Sequence, residues 1–210
     1  MKKHNLILSL LTIIMVSTMI ACSPSTKIVG SWKSPEIGDK KYNDLFILAL
    51  TDNFINRKTF EEDFSEILAG KGIKSLSSVN VLDPGTKMQN INEDQIAAII
   101  QKEGADGVIT MGVIDQTSET RYVQGSAYPT GGYRFRGYYG YYGGMAYSPG
   151  YYTTDKSYFI EIKLFDVKSG DMIWSAQSEI TNPGNLESTA MTFSRVVVER
   201  MMEDGVLPTN

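Results

Sequence analysis

Cysteine and histidine each occur once in these 210 residues, as Cys22 and His4, so everything after position 22 is built without thiol or imidazole. That absence excludes Ser-His-Asp and Cys-His nucleophiles, which need an imidazole base. It also excludes His or Cys metal sites and disulfides, leaving a single domain to fold on its apolar core. Lys and Arg form no long cluster, and 20 of them stand against 24 Asp and Glu. Nucleic-acid binding rests on a basic footprint that is missing here. Glycine-rich phosphate loops are missing as well. Thr51-Asp52-Asn53-Phe54 follows the first buried run without a glycine, and Gly85-Thr86-Lys87 follows a proline turn without entering a helix, so neither a Rossmann nor a P-loop site is expected, and no cofactor.

What is present begins at the N-terminus. Met1 to Asn5 is a short basic head, Leu6 to Ile20 is apolar apart from Ser9, Thr12, Ser17 and Thr18, and Ala21 precedes Cys22. This is the layout of a secretory signal peptide, in a run shorter than the roughly 20 apolar residues that span a bilayer. Met19-Ile20-Ala21-Cys22 resembles the bacterial lipobox, with Met19 where Leu is commoner. The resemblance implies cleavage after residue 21, lipidation of Cys22 with palmitate-type chains, and attachment to a membrane through lipid, which is stable when two or more chains are carried. Loss of the leader takes Lys2, Lys3 and His4 with it and brings the charge from −4 to near −6. Ser23 stands where Asp marks inner-membrane retention in some bacteria, which favours the outer membrane.

Residues 22–44 read as a lipidated tether and a first strand, Lys27 to Trp32, with Trp32 as a packing residue. An α/β domain follows over residues 45–205. Leu45 to Leu50 is continuously apolar, as in a strand buried on both faces. Phe60, Phe64, Ile67 and Leu68 form a helical stripe that Gly70 and Gly72 end, and the intervening Glu61, Glu62, Asp63 and Glu66 read as its solvated face. Ile73 to Val81 reads as a strand. Asn92 caps a second helix, with Gln95 at the third position and Ile96, Ile99 and Ile100 as its stripe. Gly107 to Ile114 returns as a buried strand, Ser157–Val167 and Met172–Thr181 form a hairpin about Lys168-Ser169-Gly170-Asp171, and a final helix starts near Asn182 or Asn185. Met191, Met201 and Met202 read as gap-filling core residues. Strand-helix-strand-helix-strand order predicts a three-layer-like parallel βαβαβ core, then an antiparallel hairpin and a C-terminal helix in one mixed sheet.

Gly104-Ala105-Asp106-Gly107-Val108-Ile109 and Leu164-Phe165-Asp166-Val167-Lys168-Ser169-Gly170-Asp171-Met172-Ile173-Trp174 together resemble a broad group of bacterial envelope lipoproteins. The group takes in the N-terminal domain of the TolB translocation protein, the curli-secretion lipoprotein, lipoprotein activators of penicillin-binding proteins and many uncharacterised members. The likeness implies a compact α/β domain that binds other proteins, with no catalytic residues to carry over. Curli-type pores add membrane-crossing strands, and no pair of roughly ten-residue alternating segments of that kind is found.

Residues 122–153 are an insertion of a different composition. Ten of the 12 tyrosines fall there, among many glycines, and no acidic residue lies from Tyr122 to Tyr152. Such a length between strands marks either a functional loop or a low-complexity one. Tyrosine rings offer apolar area with a polar tip, and neighbouring arginines add cation-π capacity. Arg134, Arg136, Tyr138, Tyr139, Tyr141 and Tyr142 are therefore the candidate partner-binding residues.

The reading is a non-enzymatic envelope lipoprotein acting as adaptor or assembly factor, with an envelope protein or cell-wall partner and oligomerisation open to it. A carboxylate-dependent carbohydrate hydrolase using Asp106, Asp115, Asp155 or Asp166 is the alternative, as is a subunit of an envelope ring or secretion complex. Cys22→Ala is expected to abolish incorporation of a palmitate analogue and to release the protein from the membrane fraction; retention of the label would place the lipid elsewhere.

Overall fold

The computed structural model describes residues 25–87, 92–123, 127–129, 145–147 and 151–209. At its centre lies β2 (Asp44–Ala49), in which Leu45 to Ala49 are all buried, as a continuously apolar strand covered on both faces requires. β2 runs parallel to β3 (Lys74–Ser77) on one side and to β4 (Gly107–Val123) on the other. α1 (Phe54–Gly70) connects β2 to β3, and α2 (Glu93–Glu103) precedes β4. β7 (Tyr151–Asp166) and β8 (Met172–Thr181) form an antiparallel hairpin on β4, and β1 (Ser25–Lys33) pairs antiparallel with β8. The mixed sheet has the order β1-β8-β7-β4-β2-β3, with a separate ribbon of β5 (Ala127–Pro129) and β6 (Met145–Tyr147). α3 (Leu186–Glu203) follows β8. This is the α/β architecture that the patterning predicts.

Helices cover the two faces unequally. α1 and α3 share one face, where Phe64, Leu68, Phe193 and Val197 join Ile47, Ile109, Ile162 and Trp174 in the main core. Each such side chain contributes about 1.5–3 kcal/mol on burial. On the other face, α2 covers only the β2, β3 and β4 half, with Ile100 and Ala105 against Phe46 and Leu48. Asn53, Asn92 and Asn185 cap the three helices by accepting from backbone N–H groups. Among the described residues no helix is long and apolar enough to cross a membrane.

Three expectations need correction. β3 ends at Ser77, not near Val81, because Ser78 and Val79 donate to the Glu61 carboxylate and turn the chain into a short 3-10 helix. β4 and β7 stay paired from Asp115–Phe159 to Val123–Tyr151, and beyond Ser157, the last β7 residue that pairs with β8, they run past the sheet as a two-stranded arm. The polar sequence hides this arm, which is held by contacts across it: Thr120 with Thr154, Arg121 with Asp155, and the Tyr122 and Tyr152 rings 5.1 Å apart. The whole paired stretch has the length of a membrane-crossing pair but not the apolar alternation. Trp32, finally, is 46% exposed. Its partner Ser175 points away from α1 and α3, while the adjacent Trp174 points into the core, so Trp174 is the packing residue.

The motifs that resemble envelope lipoproteins prove to be structural joints. Gly104 ends α2 with φ 78°, in the left-handed region, and Asp106 accepts from the N–H groups of Asn43 and Asp44. A Cβ on Gly107 would lie 2.8 Å from Tyr42 and 2.9 Å from Leu45, so only glycine fits where β4 meets β2. Asp166 accepts from the Tyr42 hydroxyl at 2.8 Å, from the N–H groups of Lys168 and Ser169 at 2.9 Å, and from Lys40. Burial pushes the Asp166 carboxyl up, but those donors and the Lys40 charge outweigh it and hold the group well below the ordinary carboxylate range. Its contribution to stability is therefore complete above about pH 4 and is lost as the pH falls toward the lowered value. Asp166→Asn is expected to cost about 2 kcal/mol in urea unfolding at pH 7, with the difference from the wild type shrinking by about pH 2; a difference independent of pH would show that the carboxylate charge is not what matters.

Candidate functional site

β2 ends at Ala49, opposite Met111, while β4 runs on beside β7. Just past that point an apolar cleft of about 330 Å³ lies between the first turns of α1 and α3, over β7 and β8. Phe60, Ile160, Ile180 and Leu186 form its walls, with Tyr158 and Val113 toward the arm. A smaller hollow of about 150 Å³ adjoins it beside Leu50, Met111 and Gly112. Thr189 also lines the cleft; it is buried, and its hydroxyl has no hydrogen-bond partner.

Apolar side chains stand out of the protein around this opening. Leu50 is 50% exposed, Ile55 60%, Val113 60% and Ile114 53%. A β-bulge between Val113 and Asp115 shifts the register and turns both Val113 and Ile114 outward. Grouped exposed residues of this kind mark contact surfaces, whereas isolated ones do not.

A separate groove, lined by the residues next along α1 and α3, carries Glu62, Asp63 and Glu187, with Ile55 and Met191 as apolar neighbours. Burial raises the Asp63 carboxyl, and the negative charges of Glu66, Glu187 and Glu62 raise it further. Its Oδ2 is buried without a hydrogen-bond partner. Lys58, the cation in the groove, stands 3.7 Å from Glu62. Met191 thus faces a groove, while Met201 is in the core and Met202 packs against it.

Glu61 does not belong to the solvated face expected of it. Arg57, Glu61, Phe64 and Leu68 form the buried stripe of α1. The Glu61 carboxylate accepts from Ala49 N–H at 2.8 Å, Ser78 hydroxyl at 2.6 Å and Val79 N–H at 3.0 Å. Burial raises the Glu61 carboxyl, and the three donors and the Arg57 charge oppose that rise. Arg57 donates to the carbonyls of Thr86 at 3.0 Å and Asp83 at 3.5 Å. The pair is spaced i, i+4 in register with Phe64 and Leu68, which is the signal that would have revealed it.

Among the carboxylates considered for glycosidic chemistry, Asp106 and Asp166 lie at the start of β4 and the end of β7, away from the insertion. Asp115 is exposed at the bulge, and Asp155 is on the arm, accepting from Asn182 at 2.8 Å and from Arg121. Asp106 and Asp166 are thus neighbours beside Tyr42, while Asp115 and Asp155 lie apart from them, so the four do not share one cleft. Among the described residues no three His, Cys, Asp or Glu side chains converge as metal ligands. Cys22 and the candidate partner-binding residues Arg134, Arg136, Tyr138, Tyr139, Tyr141 and Tyr142 lie outside the described residues.

No family model and no curated protein matches the chain. Among solved structures it is similar to the PelC dodecamer from Paraburkholderia phytofirmans, with 13% identity, 89% of this chain and 99% of that chain covered, and a TM-score of 0.44. It is also similar to the lipoprotein GNA1162 from Neisseria meningitidis, with 13% identity, coverage of 76% and 98%, and a TM-score of 0.40. A PDZ domain protein from Parabacteroides distasonis is similar over 93% of this chain and 39% of that one, with 12% identity and a TM-score of 0.34.

Glu61→Ala strands three donors and removes the carboxylate that faces the charge of the buried Arg57. A loss of about 3–5 kcal/mol is expected in chemical denaturation; a loss under about 1 kcal/mol would show that water replaces the carboxylate.

Proposed function

We propose that this protein is a cell-envelope lipoprotein that binds other proteins and performs no catalysis, held through Cys22 at the outer membrane. Its docking site is the apolar cleft, and the Tyr, Gly and Arg insertion is a second contact element. The observation that carries this reading is the group of exposed Leu50, Ile55, Val113 and Ile114 around a cleft with apolar walls. Apolar area of this kind gains when a partner removes it from water, by about 25 cal/mol per Å². Asp166 is engaged by Tyr42, Lys40 and the turn N–H groups and Asp106 by the N–H groups of Asn43 and Asp44, which supports a structural and non-catalytic role for these carboxylates.

A photo-reactive amino acid at Ile114 in growing cells tests the docking site. Discrete protein adducts are expected there and not from the same group at Lys102, which is exposed on α2. Equal yields at both positions, or none at Ile114, would contradict the reading.

A further inference from the structure

The apolar cleft and the acidic groove select the chemistry of what they hold. Phe60, Ile160 and Leu186 suit aromatic or branched side chains, while Glu62, Asp63 and Glu187 suit cations. Asp115 adds a carboxylate next to the exposed Ile114. An aromatic segment with arginines and no acidic residue complements this surface in both respects.

The chain itself carries such a segment. Residues 130–144 contain Arg134, Phe135 and Arg136 followed by Tyr138, Tyr139, Tyr141 and Tyr142, and no Asp or Glu lies from Tyr122 to Tyr152. Its points of attachment are at the far end of the paired arm, where Val123 lies opposite Tyr151. Eight steps from Asp115 to Val123, at about 3.3 Å each, place that end roughly 26 Å from the cleft. The segment's points of attachment are thus away from its own cleft and within reach of a neighbouring molecule.

We propose that residues 130–144 of one copy dock in the cleft of a second copy, the aromatic rings against Phe60, Ile160 and Leu186, and Arg134 and Arg136 against Glu62, Asp63 and Glu187. This rests on the reading of the cleft as a protein-docking site, and it names the partner. The donor and acceptor surfaces differ, so two copies exchange segments about a two-fold axis or the contact runs head-to-tail into a ring or chain. Attachment of every copy to one membrane raises the local concentration at which they meet.

Analytical ultracentrifugation of the unlipidated chain from Ser23 onward, over a concentration series at low and high salt, tests the proposal. Association that weakens with salt is expected for the wild type. Arg134→Glu with Arg136→Glu is expected to weaken it at least tenfold, and so is Glu62→Arg with Glu187→Arg. A mixture of the two double variants is expected to recover association, because their charges are again complementary; this recovery also shows that both variants are folded. A wild type that stays monomeric up to about 1 mM, or double variants that associate like the wild type, would overturn the proposal. Adducts from Ile114 to other proteins alongside a monomeric chain would overturn it while leaving the docking reading intact; absence of any adduct, to a second copy or to another protein, removes the docking reading itself.

Discussion

A single buried carboxylate holds together the end of the molecule on which the functional reading depends. Glu61 binds the last N–H of β2, the Ser78 hydroxyl and the Val79 N–H, so it joins the central strand, α1 and the turn after β3 at one point. Taking such a charge out of water costs several kcal/mol unless donors surround it. Three donors and the buried Arg57 do so here, and Arg57 extends the joint to the backbone at Asp83 and Thr86. The position of α1 beside the cleft, and hence of Phe60 and Ile55, follows from this joint.

The opposite end is fastened by two further carboxylates. Asp166 gathers Tyr42, Lys40 and the turn between β7 and β8. Asp204 accepts from the Ser31 hydroxyl at 2.7 Å, Trp174 Nε1 at 2.8 Å and Arg200 at 3.1 Å, which ties β1 and β8 to the end of α3. These side chains serve the fold, and they leave the apolar opening at the other end as the surface without an evident structural duty. The fold is thus fastened at both ends, and apolar groups are exposed at the end that Glu61 holds.

Much of this was legible in the residues because the relevant signals are local. Asparagine caps, the glycine that ends α2, and the apolar runs of β2 and β4 each announce themselves within a few positions. The Asp106-Gly107 pair could be recognised as a motif, yet its reason, the contact of Gly107 with Tyr42, joins positions 65 residues apart. Glu61 was misread because a charged residue is normally solvated, and only its partners at Ala49 and Val79 reverse that rule. Trp32 was misread because an edge strand with a bulge between Ile28 and Gly30 does not show its inward face by alternation. The arm escaped because Asp115 to Thr120 is polar on both faces and its pairing is set by the opposite strand. The cleft was invisible for a different reason: α1, β4, β7, β8 and α3 each contribute only one or two residues to it.

The account stands or falls on whether the cleft is covered by protein in the envelope. Amide hydrogen exchange of the full-length protein in the membrane fraction in which the proposal puts it, compared with the purified chain from Ser23 onward, measures this most directly. Slower exchange in the membranes at residues 50–56, 113–116 and 183–189, with little change along α2, is the predicted result. Identical exchange at those residues in the two preparations would contradict it.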